Sequence, residues 1–353
     1  MRGQWKCFIT VAVGLGAIAG FFVHAWSAGA YNPNLETQLS GKDFAFLYTP
    51  ASGADVAAES AAGWAWSTAA FLLVCACSIA TFAVWTNIRE AWKDPGWPTV
   101  MWASGTVAIA SLTVLTLLFT VGGKRGGFGG PVVNVMLNAL DKRGNFQIAW
   151  FNPMLNIVGV LMTGILGLAM SLCYSTSTSL SVLARHLNRL DRLLLVGAIL
   201  LSAAVLEVAT LLAWPTAPYS SVAEVAKTVD IAKKIHEMYP LTSIDLAITD
   251  AEALRRASVV DLLRLQAEAS TFAAGTGFTV LLLCFYVPNT MMLRAQANTA
   301  AVEMSGEARD VDAIFKQYGI STSWLDRVWS AAVVAAPLLI GLITRLTGIF
   351  ERS

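Results

Sequence analysis

The sequence predicts an all-α fold: a bundle of about seven membrane-spanning helices with a small helical region outside the membrane. Two observations carry this prediction. Hydrophobic residues make up 56% of the 353 residues and charged residues only 13%, whereas soluble proteins contain roughly 25% charged residues. The apolar residues are also gathered into stretches of about 20 residues, the length that an α-helix needs to cross a bilayer.

Seven stretches have this length and composition. The sixth is diluted by Thr, Gly and Ala in residues 270–279, and the seventh contains Pro337 and Arg345. The predicted spans are Phe8–Trp26, Trp64–Trp85, Val100–Val121, Met154–Tyr174, Leu193–Trp214, Ser270–Val287 and Val328–Phe350.

Tryptophans stand near the ends of these stretches. An indole ring is amphipathic and prefers the headgroup level of a membrane. We therefore expect an aromatic belt at both membrane surfaces. Its predicted members are Trp5, Trp26, Trp64, Trp66, Trp85, Trp97, Trp102, Trp150, Trp214, Trp324 and Trp329.

The first stretch has two readings. Arg2 and Lys6, the apolar run and the small residues 28–30 together also suit a secretory signal peptide. The apolar run is long for the hydrophobic core of such a peptide, which favours a retained anchor.

Basic residues near the helix ends indicate the orientation, because cytoplasmic loops are enriched in Lys and Arg. Arg2 and Lys6 before the first span place the N-terminus in the cytoplasm, and so do the basic residues of 89–93 and 185–192. The basic residues in 122–153 argue the other way. With seven spans the C-terminus is then outside, and a bacterial inner membrane is the expected location.

This topology divides the chain into three parts. Residues 1–214 hold five spans with their loops, residues 215–269 form an extracytoplasmic helical hairpin, and residues 270–353 hold two spans joined by a cytoplasmic connector, 289–325. The hairpin is predicted from two capping-box patterns, Ser221 to Glu224 and Thr249 to Glu252. The second helix is expected to run straight into the sixth span. The alternative is a pair of amphipathic helices lying on the membrane surface.

Glu207 is the most informative polar residue, because it lies inside the fifth span. A carboxylate at membrane depth costs roughly 2.5–3.5 kcal/mol, so it should face protein, water or a partner. Arg345 in the seventh span and His24 in the first are predicted at a similar depth. We expect either a polar cluster of Glu207, Arg345 and His24 beside an outward cavity, or an ion pair that joins helices.

Small residues spaced four apart let helix backbones approach closely. Gly16 and Gly20 form such a face in the first span, and Gly159, Thr163 and Gly167 form one in the fourth. We expect these faces to pack within the chain rather than to form a dedicated dimer interface.

Several classes of function are disfavoured. Three histidines, two of them in predicted loops, do not suit a haem or another metal, and HExxH and phosphate-loop motifs are absent from the sequence. The net charge of +1 offers no footprint for nucleic acid. The five cysteines lie in or beside apolar segments and are interpreted as packing residues. The sequence predicts neither an enzyme nor a cofactor.

Three hypotheses remain. The first is a structural or accessory subunit of a larger membrane complex, with protein partners in the bilayer or further copies of itself. The second is a transporter or channel for a small solute or ion, favoured by Glu207, Arg345, the Thr/Gly-rich start of the sixth span and Pro337. The third is a membrane-bound sensor, which lacks a recognisable output domain.

Overall fold

A computed structural model of the chain describes residues 45–48, 55–91, 136, 138–143, 158, 161–170, 172–173, 179–219, 251–305, 311–320 and 324–346. These residues are almost entirely helical, and they include no strand. Three of their helices are long and apolar enough to cross a membrane. The expected all-helical fold is confirmed for the described residues, whereas insertion into a membrane and the number of seven spans stay predictions.

The described residues include six α-helices and two short 3-10 helices, and residues 138–142 are also helical. In chain order the α-helices are α1 (Asp55–Ala91), α2 (Leu161–Met170), α3 (Leu180–Ala213), α4 (Ala251–Ser305), α5 (Val311–Gln317) and α6 (Trp324–Leu346). The 3-10 helices are Ala45–Tyr48 and Trp214–Tyr219. The three long apolar helices are α1, α3 and α4, which contain the second, fifth and sixth predicted spans. The first and third predicted spans lie outside the described residues.

Helix α3 is the centre of the bundle and packs against α1, α4 and α6. It runs antiparallel to α1, because Glu90 near the end of α1 pairs with Arg189 near the start of α3, while Trp66 contacts Glu207. We call these two ends of the bundle the Glu90 end and the Trp64 end.

The remaining long helices continue this alternation. Tyr286 of α4 donates a hydrogen bond to Asp191 of α3, and the backbone of Gly275 lies against Pro337 of α6. Helix α4 is therefore antiparallel to both neighbours, and α6 runs in the same direction as α3.

One face of α1 is apolar and exposed over the whole length of a membrane. Trp64, Phe71, Phe82 and Trp85 have exposed fractions of 74%, 67%, 72% and 61%. The two tryptophans at its ends are 21 residues apart, which is about 32 Å along an α-helix. The hydrocarbon core of a bilayer is about 30 Å thick. This face therefore fits a lipid-facing surface with an indole at each boundary.

Several helices extend beyond the apolar stretches that predict them. Helix α3 begins at Leu180 rather than Leu193, so the basic connector 185–189 is helical. Helix α4 is continuous over 55 residues, or about 82 Å. The proposed boundary between residues 269 and 270 falls inside it, as expected if the hairpin's second helix enters the sixth span. The hairpin's first helix lies outside the described residues.

The connector 289–325 contains parts of two helices. Its first part completes α4, which passes through Pro288 without a break, and α5 follows. Gly319 then makes a turn, with a φ of 69° that favours glycine.

Glycines hold α4 and α6 together with their backbones in contact. A Cβ on Gly275 would lie 2.7 Å from the carbonyl oxygen of Pro337, and a Cβ on Gly341 would lie 3.3 Å from that of Thr271. The backbone N–H of Leu338 also donates to Oγ1 of Thr279 across this interface, at 3.2 Å. The Thr/Gly-rich start of the sixth predicted span is therefore a packing surface for α6.

Candidate functional site

Glu207 lies in the middle of the bundle. Its helix, α3, is the one with neighbours on most sides, and the residue is only 2% exposed. Its Oε1 accepts a hydrogen bond of 2.9 Å from the indole Nε1 of Trp66 in α1. Among the described residues, no basic side chain lies within ion-pair distance of this carboxylate. The acidic group is thus accommodated by a donor on the neighbouring helix.

Two tryptophans close the space above Glu207. The rings of Trp66 and Trp214 lie 5.6 Å apart between centroids, tilted by 35°. The ring of Trp214 rests on Gly63, where an added Cβ would lie 2.8 Å from Cζ2. Gly63 therefore leaves room for the indole between α1 and the end of α3.

Two members of the predicted aromatic belt, Trp66 and Trp214, face the interior of the bundle. They are only 7% and 8% exposed, whereas Trp64 and Trp85 face outward. Trp66 follows Trp64 by two residues, so on a helix it points to a different face. Proximity to the end of an apolar stretch predicts depth in the membrane, and it does not predict which side of the helix an indole takes.

The proposed cluster of Glu207, Arg345 and His24 stays a prediction. His24 lies outside the described residues, and so does the side chain of Arg345. The backbone of α6 is described as far as Leu346. Gly341 packs against Thr271, and Arg345 follows about one turn further toward the Trp64 end.

Arg143 forms a second polar cluster at the Trp64 end. Its side chain is 1% exposed and pairs with Glu59 of α1 at 3.3 Å. It also donates to the carbonyl oxygens of Leu47 and Pro215, at 2.6 and 3.1 Å, and to the hydroxyl of Tyr219 at 3.3 Å. Arg143 thereby joins α1 to both 3-10 helices.

The role of Arg143 is not visible in the sequence, where this residue is one of the loop charges that oppose the predicted orientation. Its four partners come from three separate segments of the chain, the farthest 96 residues away. No local pattern marks such a residue. The hydroxyl of Tyr219 completes the cluster by donating to the carbonyl oxygen of Phe46 at 2.8 Å.

An open groove lies between α1 and the Trp214–Tyr219 helix. Its volume is about 410 Å³. The residues that line it are Val56, Glu59, Ser60, Gly63, Trp64, Ser67, Arg143 and Trp214. Glu207 is not among them, so the groove and the Trp66–Glu207 contact are two separate features.

Polar side chains at other levels also bind neighbouring helices. Nδ2 of Asn87 in α1 donates to the carbonyl oxygen of Ala169 in α2 at 2.8 Å. The hydroxyl of Tyr286 donates to Asp191 at 2.7 Å and approaches Ser330 of α6. In these contacts, as in the contact between Trp66 and Glu207, a polar group joins two helices.

Only some of the predicted helix-packing residues are among the described residues. Gly167 lies in α2, where an added Cβ would lie 2.5 Å from the ring of Phe285 in α4. Thr163 is half-buried in the same helix. Gly16, Gly20 and Gly159 lie outside the described residues.

The chemistry that this arrangement allows is limited. A buried carboxylate with an indole donor can accept further hydrogen bonds or bind a cation. Within the described ranges, no three His, Cys, Asp or Glu side chains are grouped as metal ligands. Comparison with protein-family models, curated proteins and solved structures finds no match to this chain.

Proposed function

We propose that the chain is an integral membrane protein that acts as a structural or accessory subunit of a larger membrane complex. The observation that carries this proposal is the use of polar groups, at membrane depth and at its boundary, to join helices. Glu207 receives the indole N–H of Trp66, Thr279 receives the backbone N–H of Leu338, and Asn87 binds a carbonyl oxygen of α2. Each contact joins two helices.

Polar groups on a transport path need a different environment. Polar residues on a solute pathway face the bundle interior or a water-filled cavity, where they can exchange partners. Two sequence features that favour a transporter, the Thr/Gly-rich stretch of α4 and Pro337, lie against each other at the α4–α6 interface. Their contact supports a packing role for both.

The length of α4 supports a partner-binding role. At about 82 Å the helix exceeds the roughly 30 Å thickness of the hydrocarbon core. Met291 and Met304, beyond the predicted end of the sixth span, have exposed fractions of 67% and 61%. Exposed apolar residues outside the bilayer are suited to contact with another protein.

The proposal places the Glu90 end in the cytoplasm and the Trp64 end outside, in a bacterial inner membrane. Arg185, Arg189 and Arg192 lie at the Glu90 end, which agrees with the enrichment of basic residues on the cytoplasmic side. At the opposite end, the charge of Arg143 is balanced by Glu59 within the fold.

Purification in a mild detergent, followed by native mass spectrometry, tests the proposal. We expect the chain to carry other polypeptides, or further copies of itself, in a fixed ratio. Joint replacement of Met291→Ser and Met304→Ser should lower the bound fraction. Ala295→Ser, an exposed change in the same part of α4, is the matched control. A monomer with no bound chain would contradict the proposal.

A transporter or channel is the second candidate, and the burial of Glu207 favours it. A carboxylate that is 2% exposed at membrane depth is the kind of group that proton and ion pathways use. If it serves transport, Glu207→Gln should abolish flux and leave the fold intact, because the amide oxygen still accepts the hydrogen bond of Trp66.

A further inference from the structure

The groove at the Trp64 end contains both signs of charge side by side. Nη1 of Arg143 lies 3.3 Å from Oε1 of Glu59, and the Glu59 side chain keeps 17% of its surface exposed. The hydrogen bonds of Arg143 use four of its five N–H groups. The groove therefore offers an accessible carboxylate beside a cation, at zero net charge, and one N–H of this cation has no hydrogen-bond partner among the described residues.

One residue of the groove wall also carries a buried donor. Trp214 lines it, and the Nε1 atom of this indole is buried with no hydrogen-bond partner among the described residues. A buried donor without an acceptor costs about 1–3 kcal/mol. An oxygen atom of a ligand that reached Nε1 would remove that cost.

The groove lies at the level where lipid headgroups are expected. Trp64 forms part of its wall and marks one end of the exposed apolar face of α1, and exposed indoles prefer the headgroup region. Glu59 and Ser60 lie about one turn above Trp64, while Ser67 lies about one turn below it. Phe71, 67% exposed, continues the apolar surface in the direction of the bilayer centre.

We propose that this groove binds a phospholipid with a zwitterionic phosphoethanolamine headgroup. The primary ammonium donates to Glu59, the phosphate takes the spare N–H of Arg143 and the hydroxyl of Ser60, and an acyl chain lies along Trp64 and Phe71. An anionic headgroup is repelled by Glu59, because it has no ammonium group to pair with this carboxylate. A choline headgroup carries the positive charge but has no N–H to donate.

Lipid titration of the full-length protein tests this assignment. The protein is delipidated in mild detergent and titrated with dioleoyl phosphatidylethanolamine, phosphatidylcholine or phosphatidylglycerol, with thermal stabilisation and native mass spectrometry as readouts. A partly exposed ion pair contributes up to about 1 kcal/mol, so the ethanolamine lipid should bind about fivefold more tightly than the glycerol lipid. Equal binding of the two, or tighter binding of the anionic lipid, overturns the proposal.

A variant that fills the groove locates the binding. Ser60→Phe places a ring among the lining residues, and we expect it to weaken binding of the ethanolamine lipid about tenfold, equivalent to about 1.4 kcal/mol. Ala61→Phe makes the same change at the next exposed position of α1, which does not line the groove, and should leave binding unchanged. Equal effects of both variants overturn the assignment to this groove.

A second variant tests the role of charge. Glu59→Gln removes the carboxylate, and the remaining charge of Arg143 should shift the preference toward phosphatidylglycerol. Glu90→Gln, at the far end of α1 and also paired with an arginine, should keep the wild-type preference. An unchanged preference in Glu59→Gln overturns the proposal.

Two further outcomes would assign the groove to another occupant and reject the lipid. At concentrations at which the lipid stabilises the protein, soluble phosphorylethanolamine should not stabilise it, because it lacks the acyl chains. Equal stabilisation by phosphorylethanolamine indicates that the groove binds a free solute instead. If no lipid binds and Ser60→Phe releases a co-purifying chain, the groove is a protein contact.

Discussion

The close contact between α4 and α6 leads to a quantitative prediction for Gly275→Ala. The added Cβ would lie 2.7 Å from the carbonyl oxygen of Pro337 and 3.3 Å from its carbonyl carbon. Close contacts between carbon and carbonyl oxygen are about 3.3–3.6 Å. The two helices must therefore separate by about 0.6 Å or more, since neither obstructing atom belongs to a flexible side chain.

The expected cost follows from overpacking. Forcing an extra methyl group into a packed interface costs about 1–3 kcal/mol, while alanine gains about 0.5–1 kcal/mol over glycine within a helix. Gly341→Ala has the same helical gain, but its Cβ meets its nearest atom at 3.3 Å. The helical gain cancels in the difference between the two free energies of unfolding. Because the contact at Gly341 is also tight, Gly275→Ala should be less stable than Gly341→Ala by about 1–2 kcal/mol.

Equilibrium unfolding in mixed detergent micelles, followed by circular dichroism, measures both variants against the wild type. Gly341→Ala is the matched control, because it makes the same change on the other side of the same interface. Equal stability of the two variants would refute the inferred backbone contact between α4 and α6.

The same unfolding assay tests three other contacts. Arg143→Met should cost about 3 kcal/mol, mainly by leaving the carbonyl oxygens of Leu47 and Pro215 without their donor, whereas the exposed Arg89→Met should cost under about 0.5 kcal/mol; similar costs would contradict the buried cluster. Trp66→Phe removes the donor to the buried carboxylate of α3 and should cost about 1–3 kcal/mol, so a neutral effect would count against that hydrogen bond. Thr279→Val should cost about 1–2 kcal/mol by removing the acceptor of a backbone N–H, and no loss would show that this N–H has another partner.

Hydropathy predicts the cores of the long helices well but predicts their ends poorly. The predicted spans Trp64–Trp85 and Ser270–Val287 lie within α1 and α4, and Leu193–Trp214 ends one residue beyond α3. Each helix continues into more polar sequence, as α3 does from Leu180 through the basic connector. An apolar window measures only the part of a helix that suits lipid, and the turns beyond it are stabilised by tertiary packing.

The candidate site was predicted only in part. Burial of Glu207 follows from the cost of a carboxylate at membrane depth, and the structure places it at 2% exposure. Its donor, Trp66, lies 141 residues away in the sequence. The sequence alone does not predict which residues of two helices lie opposite each other. The spacing of Trp64 and Trp66 was the available signal, because residues two apart on a helix take different faces.

Contacts between distant segments account for the other differences. The Thr/Gly-rich stretch and Pro337 each resemble a functional irregularity when considered alone, yet they lie in mutual contact. The partners of Arg143 are spread over three segments. Such features depend on which helices are neighbours, and hydrophobic periodicity carries no information about that.

The most direct test of the central claim is a joint measurement of stability and flux for Glu207→Gln and Glu207→Leu in proteoliposomes. If Glu207 serves helix packing, the glutamine variant should assemble and conduct protons and potassium as the wild type does. The leucine variant, which leaves the N–H of Trp66 without an acceptor, should lose about 1–3 kcal/mol of stability. A glutamine variant that assembles normally but loses proton or potassium flux would contradict the packing role and favour a transport site.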